Sequence, residues 1–282
     1  MKQLLRSDLY KLNKARYFWI CLVINIVLAV LSVFIIDFSY RVAGDAMATS
    51  LEAQDQAMQE NGVNISTDGL ARSYEDLSAS SQMLALSFGS SLLLIGIVIS
   101  LFAGGEFNHG TIKNIASRNY SRAKIYLSKL LISILAAIVF TLLYMAATTI
   151  TATVLWGFGS TGPGFWTHVM QVTAIELLLA GAFASVFYMI AMLIRQSGAA
   201  IAVNLCFLEF FSMIFMLLEM LYKKISGDTI VLSKYLLDTN ITEVATKELT
   251  SSLATRSIVT ALVYLAVTIC IGMVVFSKKD IK

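Results

Sequence analysis

From Tyr17 to Ile36 the chain carries no charged residue, and nothing else in the sequence constrains the fold as tightly. A bilayer core about 30 Å thick takes about 20 predominantly apolar residues in helical conformation, and this stretch has that length. It is too long for the core of a signal peptide and no small-residue cleavage pattern follows it, so it reads as a retained span. Five further stretches pass the same test. The expected spans are about 17–36, 83–104, 126–156, 172–194, 199–222 and 256–277. The third is longer than a perpendicular helix needs and should tilt or protrude. The fourth and fifth are separated only by Arg195-Gln196-Ser197-Gly198, a tight helix-to-helix turn. The fold class expected from this pattern is all-α, a polytopic integral membrane protein of six transmembrane helices in a single domain.

Composition supports lipid as the solvent. Of the 282 residues, 57% are hydrophobic and 14% are charged, and the mean hydropathy is +0.76. Soluble domains carry about 25% charged residues. The one proline, Pro163, suits long uninterrupted helices. Cys21, Cys206 and Cys270 fall inside apolar runs without CxxC spacing and read as small buried hydrophobes.

The placement of charge orients the spans. Five Lys/Arg precede the first span (Lys2, Arg6, Lys11, Lys14, Arg16) and five sit between the second and third (Lys113, Arg118, Arg122, Lys124, Lys129). With Arg195, Lys278, Lys279 and Lys282 that side has fourteen, against seven on the other, which also holds twelve acids. The basic side should be cytoplasmic, with both termini on it. The outer loops are then 37–82, 157–171 and 223–255. The first is acidic and polar, with a possible helix from Ala46 to Gln59. The second, around Gly157 to Trp166, is aromatic and uncharged and should hug the interface. The third has room for a short helix.

Catalytic motifs are missing. The sequence has no GxxxxGK[ST] phosphate loop, no HExxH and no metal-spaced Cys/His cluster. Its two histidines, His109 and His168, lie outside the spans and read as surface residues. Energy for any transport must come from a partner or an ion gradient.

The second cytoplasmic loop, 105–125, is the most informative. Thr111 can cap a helix, Ile112, Ile115 and Ala116 follow at helical spacing with Lys113 on the other side, and Ser121 can cap the next span. A short amphipathic helix across the inner membrane face would offer a rigid polar surface to a cytoplasmic protein. A solvated connector that obeys the positive-inside rule accounts for the same residues.

The loop resembles the signature of type-2 ABC exporter permeases, which runs Glu, Gly-Thr-Leu, Leu-Leu-Ser, Pro, Ser-Arg and Lys-Leu-Leu. Glu106, Gly110-Thr111-Ile112, Ile115-Ala116-Ser117, Ser121-Arg122 and Lys129-Leu130-Leu131 align with it, while Asn119 stands where the family has proline. The six-span layout agrees over the whole chain, and permeases for bacitracin and lantibiotic self-protection are similar in size. The resemblance implies a non-catalytic membrane subunit of a bacterial exporter for a peptide antibiotic or another amphipathic molecule. It also implies coupling to a cytoplasmic ABC ATPase, in two copies, through Glu106, Gly110, Thr111, Ile112, Lys113, Ile115, Arg118 and Arg122. That ATPase would hold ATP and Mg, this chain would need no cofactor or nucleic acid, and a second permease, identical or similar, would complete the pathway in the plasma membrane.

Other residues carry expectations of their own. Leu5, Leu9, Leu12 and Arg16 share a face of the N-terminal segment, the pattern of a helix lying in the interface. A plain basic flank of the first span is the alternative. Glu106 should pair with Arg122 or Lys129 at a partly desolvated boundary, worth about 0–1 kcal/mol. Glu209 lies within an apolar span, where a charge costs on the order of 3 kcal/mol, so it should face protein or a cavity. There it would either attract a cationic cargo or hydrogen-bond Asn204 or Ser212 of a neighbouring permease. Glu176 and Glu219 lie nearer the outer surface, as pathway residues or as interfacial ones. A secondary transporter or a membrane anchor or sensor remains the rival class, though one proline in uninterrupted helices does not suit the former.

Overall fold

The structure, a computed structural model, describes residues 2–43, 49–50, 53, 71, 73–87, 90–108, 110, 121–226 and 231–278. All regular structure among them is helical: α1 (Lys2–Lys14), α2 (Arg16–Ala43), α3 (Ala79–Gln82), α4 (Ser91–Asn108), α5 (Arg122–Trp156), α6 (Phe165–Ile194), α7 (Ser197–Ser226), a 3₁₀ turn (Ser233–Tyr235), α8 (Leu237–Thr246) and α9 (Ser251–Lys278). Six of these, α2, α4, α5, α6, α7 and α9, are long and apolar enough to cross a membrane. The chain is a multi-pass membrane protein.

The expected spans and the helices agree in number but not in extent. Helix α2 continues past Ile36 to Ala43, because Asp37 is neutralised in place by Arg41 one turn on (2.8 Å) and accepts a hydrogen bond from Trp156 Nε1 at 2.9 Å. Helix α4 begins at Ser91 instead of residue 83. Residues 83–86 form turns, and the Ser87 N–H and hydroxyl both bond the Leu84 carbonyl. Helix α6 begins at Phe165, two residues after Pro163, so the second half of the expected loop 157–171 is helix. Ser121 occupies the N-cap position of α5 with extended backbone, but its side chain makes no cap bond; its carbonyl accepts the Lys124 and Ile125 N–H groups instead. Residues 111–120, with their expected amphipathic helix, and most of Ala46 to Gln59 lie outside the described residues.

Helix α6 is the hub, packed against α4, α5, α7, α8 and α9. Its run Ala180-Gly181-Ala182 and Ala184-Ser185 lets neighbours approach closely, as small residues do in lipid, where apolar side chains gain nothing by leaving the solvent. In the most apolar stretch of each helix, 67% of residues are buried in α4 and α6 but only 6% in α7. Two cysteines expected in the interior, Cys206 on α7 and Cys270 on α9, are exposed on outer faces; only Cys21 is buried. A thiol is apolar enough for lipid, so the apolar runs around these cysteines did not require burial.

The segment between α7 and α9, expected as an outer loop, re-enters the bundle. Leu236, Leu237 and Asp238 share a cleft with Phe183, Phe207, Phe211, Ser212 and Tyr264, residues near the middles of α6, α7 and α9. From there α8 climbs outward, and Thr246, Lys247 and Glu248 line a cleft with Ser80, Ser81, Phe165 and His168 at the far end. Polar side chains hold this hairpin. Asn240 donates to the Lys234 and Leu236 carbonyls (2.8 and 2.7 Å) and accepts from Ser257 (3.0 Å), while Glu243 pairs with Lys247 (2.7 Å) and Arg256. Irregular backbone at such depth is tolerated because protein surrounds it.

Candidate functional site

One end of the bundle gathers the basic segments. Its first element, α1, is amphipathic, and the buried stripe is Leu4, Asp8 and Leu12, one turn apart each. The expected face of Leu5, Leu9, Leu12 and Arg16 is thus rotated: Leu9 is 45% exposed and an acid takes the centre of the stripe. Asp8 faces α5, where it accepts hydrogen bonds from Ser128 Oγ at 2.9 Å and Lys129 Nζ at 3.0 Å. Lys129 also pairs with Glu106 at the end of α4, and Glu106 pairs with Lys11 of α1 at 3.0 Å. The ammonium of Lys129 lies 5.4 Å from the centre of the Phe102 ring. Charges therefore alternate along Asp8, Lys129, Glu106 and Lys11, and the four sum to zero.

Burial decides what this chain of ion pairs does. The Lys129 and Asp8 side chains are each 1% exposed. Of the two partners expected for Glu106, Lys129 is taken, but the boundary is not partly solvated as expected. A buried pair loses its hydration, so its net contribution is small, while removing one partner costs about 3–5 kcal/mol because a bare charge stays inside. The network fixes α1 to α4 and α5 at one relative position. Sequence reasoning missed Asp8, and the available signal was its place one turn from both Leu4 and Leu12.

The same end brackets residues 111–120. Gly110, at φ +64°, takes a left-handed conformation that stops α4, and its N–H bonds the Phe107 carbonyl at 3.1 Å. On the other side Arg122 donates to the Ser277 carbonyl at the end of α9 (2.8 Å). Arg195 stacks over the Phe107 ring at 5.4 Å, and Asn108 donates to Ser197 at 2.7 Å. Gly104 allows this approach: a Cβ there would lie 2.6 Å from the Ser197 backbone. Of the residues expected to couple to an ATPase, Glu106, Gly110 and Arg122 lie at this end. Thr111, Ile112, Lys113, Ile115 and Arg118 lie outside the described residues.

The four residues expected along a pathway separate. Asn204 is fully buried, donating to Ser100 Oγ at 2.8 Å and the Phe187 carbonyl at 3.2 Å, so it ties α7 to α4 and α6 within one chain. Glu219 accepts from the N–H and hydroxyl of Ser233 and holds the 3₁₀ turn. Glu176, expected as a pathway or an interfacial residue, lies inside the chain. It is wholly buried, accepts from Ser87 Oγ at 2.6 Å, and its second oxygen has no hydrogen-bond partner. Helix α6 begins about two turns earlier than the hydropathy suggested, so Glu176 lies about three turns from its start.

Glu209 differs from the other three. It is exposed on the chain's surface midway along α7 and lines a cleft of about 410 Å³ with Ser90, Leu92, Leu93, Leu208, Ser212 and Asp238. Asp238 lies beside Ser212 in this cleft, near enough to feel the Glu209 charge. Asp238 was counted with the outer loop in the sequence, and only the re-entrant hairpin brings it here. Two carboxylates sharing one cleft repel, and a cation placed between them relieves that repulsion. Among the described residues no group of three or more His, Cys, Asp or Glu has metal-binding spacing.

Residues 64–282 match the family model described as a protein of unknown function, DUF2705. No curated protein matches the chain.

Proposed function

We propose that this chain, a member of the DUF2705 family of proteins of unknown function, is the membrane-spanning permease subunit of an ATP-driven ABC exporter. The observation that carries this reading is the bracing of the basic end. Lys129, Asp8, Glu106 and Lys11 lock α1, α4 and α5 together, and Gly110 and Arg122 bound the loop that resembles the ATPase-docking element. A loop held at both ends by a rigid frame can pass on a push from a cytoplasmic ATPase, where a slack connector would absorb it. The sequence has no GxxxxGK[ST] phosphate loop, and on this reading ATP and Mg belong to that partner, in two copies, beside a second permease in the bacterial plasma membrane.

The Glu209 and Asp238 cleft supports a cationic amphipathic cargo such as a peptide antibiotic. It opens at mid-span on α7, the span with the smallest buried share, so a second permease facing α7 would enclose it. One observation favours secondary transport as a second reading: the buried Glu176 carboxyl has an unpartnered oxygen, and such groups serve proton relays.

The test is co-purification of a cytoplasmic ATPase with the tagged chain, followed by replacement of Arg118 and Arg122 by Glu. The permease should still reach the membrane, while ATPase capture or permease-stimulated hydrolysis falls. Unchanged capture, hydrolysis and export would reject the docking role. Export abolished by a proton ionophore at constant ATP would favour the second reading.

A further inference from the structure

We infer that the cleft between α1, α2 and α4 is a binding site for the phosphate-bearing headgroup of a membrane phospholipid, with Lys11 as the phosphate contact. The cleft holds about 220 Å³ and is lined by Lys11, Ala15, Tyr17, Leu101, Phe102, Gly105 and Glu106. It lies where α1 turns into the first span, beside the last turns of α4, at the end of the bundle that carries the Lys/Arg excess. That is the level of a lipid headgroup for a helix lying in the interface.

Its walls differ in chemistry by depth. Leu101 and Phe102 are apolar and stand toward the span, while Lys11 and Glu106 mark the polar floor. The Lys11 side chain is 38% exposed, the one accessible member of the ion-pair chain that ends in Lys129 and Asp8. A partly exposed ammonium can donate to a phosphate oxygen as a second partner without breaking the bond to Glu106, since it has three N–H donors. The Tyr17 hydroxyl is near Glu106 and makes no hydrogen bond to another described residue, so the cleft holds a second open donor. Among the described residues nothing lies within 4 Å of where a Gly105 side chain would begin, which leaves that side of the cleft open. One and two turns along α2 from Tyr17, Ile20 and Ile24 are 58% and 42% exposed, an apolar track for acyl chains leading away from the headgroup. A free phosphate would use Lys11 but none of this track, so the walls favour the lipid. The site is independent of what the chain transports.

Gly105 supplies a clean test because it is helical and a Cβ there meets no described residue. The full-length chain is purified in detergent, delipidated, and offered phosphatidylglycerol, with bound lipid counted by native mass spectrometry. Wild type should retain one molecule. Lys11→Gln, which loses a charge-assisted hydrogen bond, and Gly105→Leu, which fills the cleft, should each weaken retention by about tenfold or more. Diacylglycerol, which has tails and no phosphate, should bind poorly, and inorganic phosphate at equal concentration should not displace the phospholipid. Wild-type retention by the Gly105→Leu chain overturns the site. Equal retention of diacylglycerol overturns the role of phosphate, and displacement by inorganic phosphate alone reassigns the site to a free anion. If Lys11→Gln fails to fold, Gly105→Leu decides the matter alone.

Discussion

Lys129 is the residue whose role is least visible from its type and most evident from its surroundings. It is an ammonium with 1% of its side chain exposed, held by two carboxylates from two other helices. Lys129→Met should lower stability by about 3–5 kcal/mol, because Asp8 then remains buried without a counter-charge and Glu106 keeps only Lys11. The combined Asp8→Asn, Glu106→Gln, Lys129→Met chain should recover most of that loss, as measured by thermal unfolding in detergent. A single variant as stable as wild type would show that the network is solvated in the membrane. Glu209 calls for the opposite expectation, since it is exposed and lines a cleft. On the proposed function, Glu209→Gln should leave membrane abundance unchanged and reduce export of a basic peptide, while Glu209→Leu should be at least as abundant in the membrane. Full export by the Gln variant would reject charge recognition there. The two residues look alike in the sequence, each a charge beside apolar neighbours. What separates them is whether the helix presents the side chain to three packed neighbours or to an open groove.

At the scale of elements, the re-entrant hairpin is the main departure from a hydropathy reading. Residues 231–250 are too polar and too short to register as a span, and their mixed charge looks like a solvated loop. Their polar groups are instead consumed internally: Asn240 bonds two carbonyls and Ser257, Glu243 pairs with Lys247 and Arg256, and Glu219 holds Ser233. In a background without native cysteines, Leu236→Cys should resist a membrane-impermeant thiol reagent while Lys247→Cys reacts from outside. Equal labelling at both positions would refute re-entry. The six spans themselves were legible, because about 20 apolar residues have few alternatives to crossing a bilayer. Their ends were not, because Asp37 and Trp156, or Ser87 and Leu84, settle a helix boundary through partners that local composition does not register.

For the whole molecule, the arrangement of charges and the arrangement of helices agree without having been derived from each other. The basic segments α1, Arg122 to Lys129 and Arg195 meet at one end through Lys11 to Glu106, Arg122 to Ser277 and Asn108 to Ser197. The acidic Asp37, with Trp156 and Tyr74, lies at the other. Reporter fusions should therefore read cytoplasmic at residue 120 and external at residue 60, and the reverse pattern would overturn the orientation. Taken alone, the sequence determined the solvent, the number of crossings and the segregation of charge, since each is a sum over residues that no contact can change. Tertiary structure decided the rest. It put Asp8 opposite Lys129, drew Asp238 beside Glu209, buried Glu176 and turned α7 outward, because which side chains meet depends on helix rotation and depth. A rotation of one residue in a helix moves a charge from lipid to protein while leaving the hydropathy of the stretch the same.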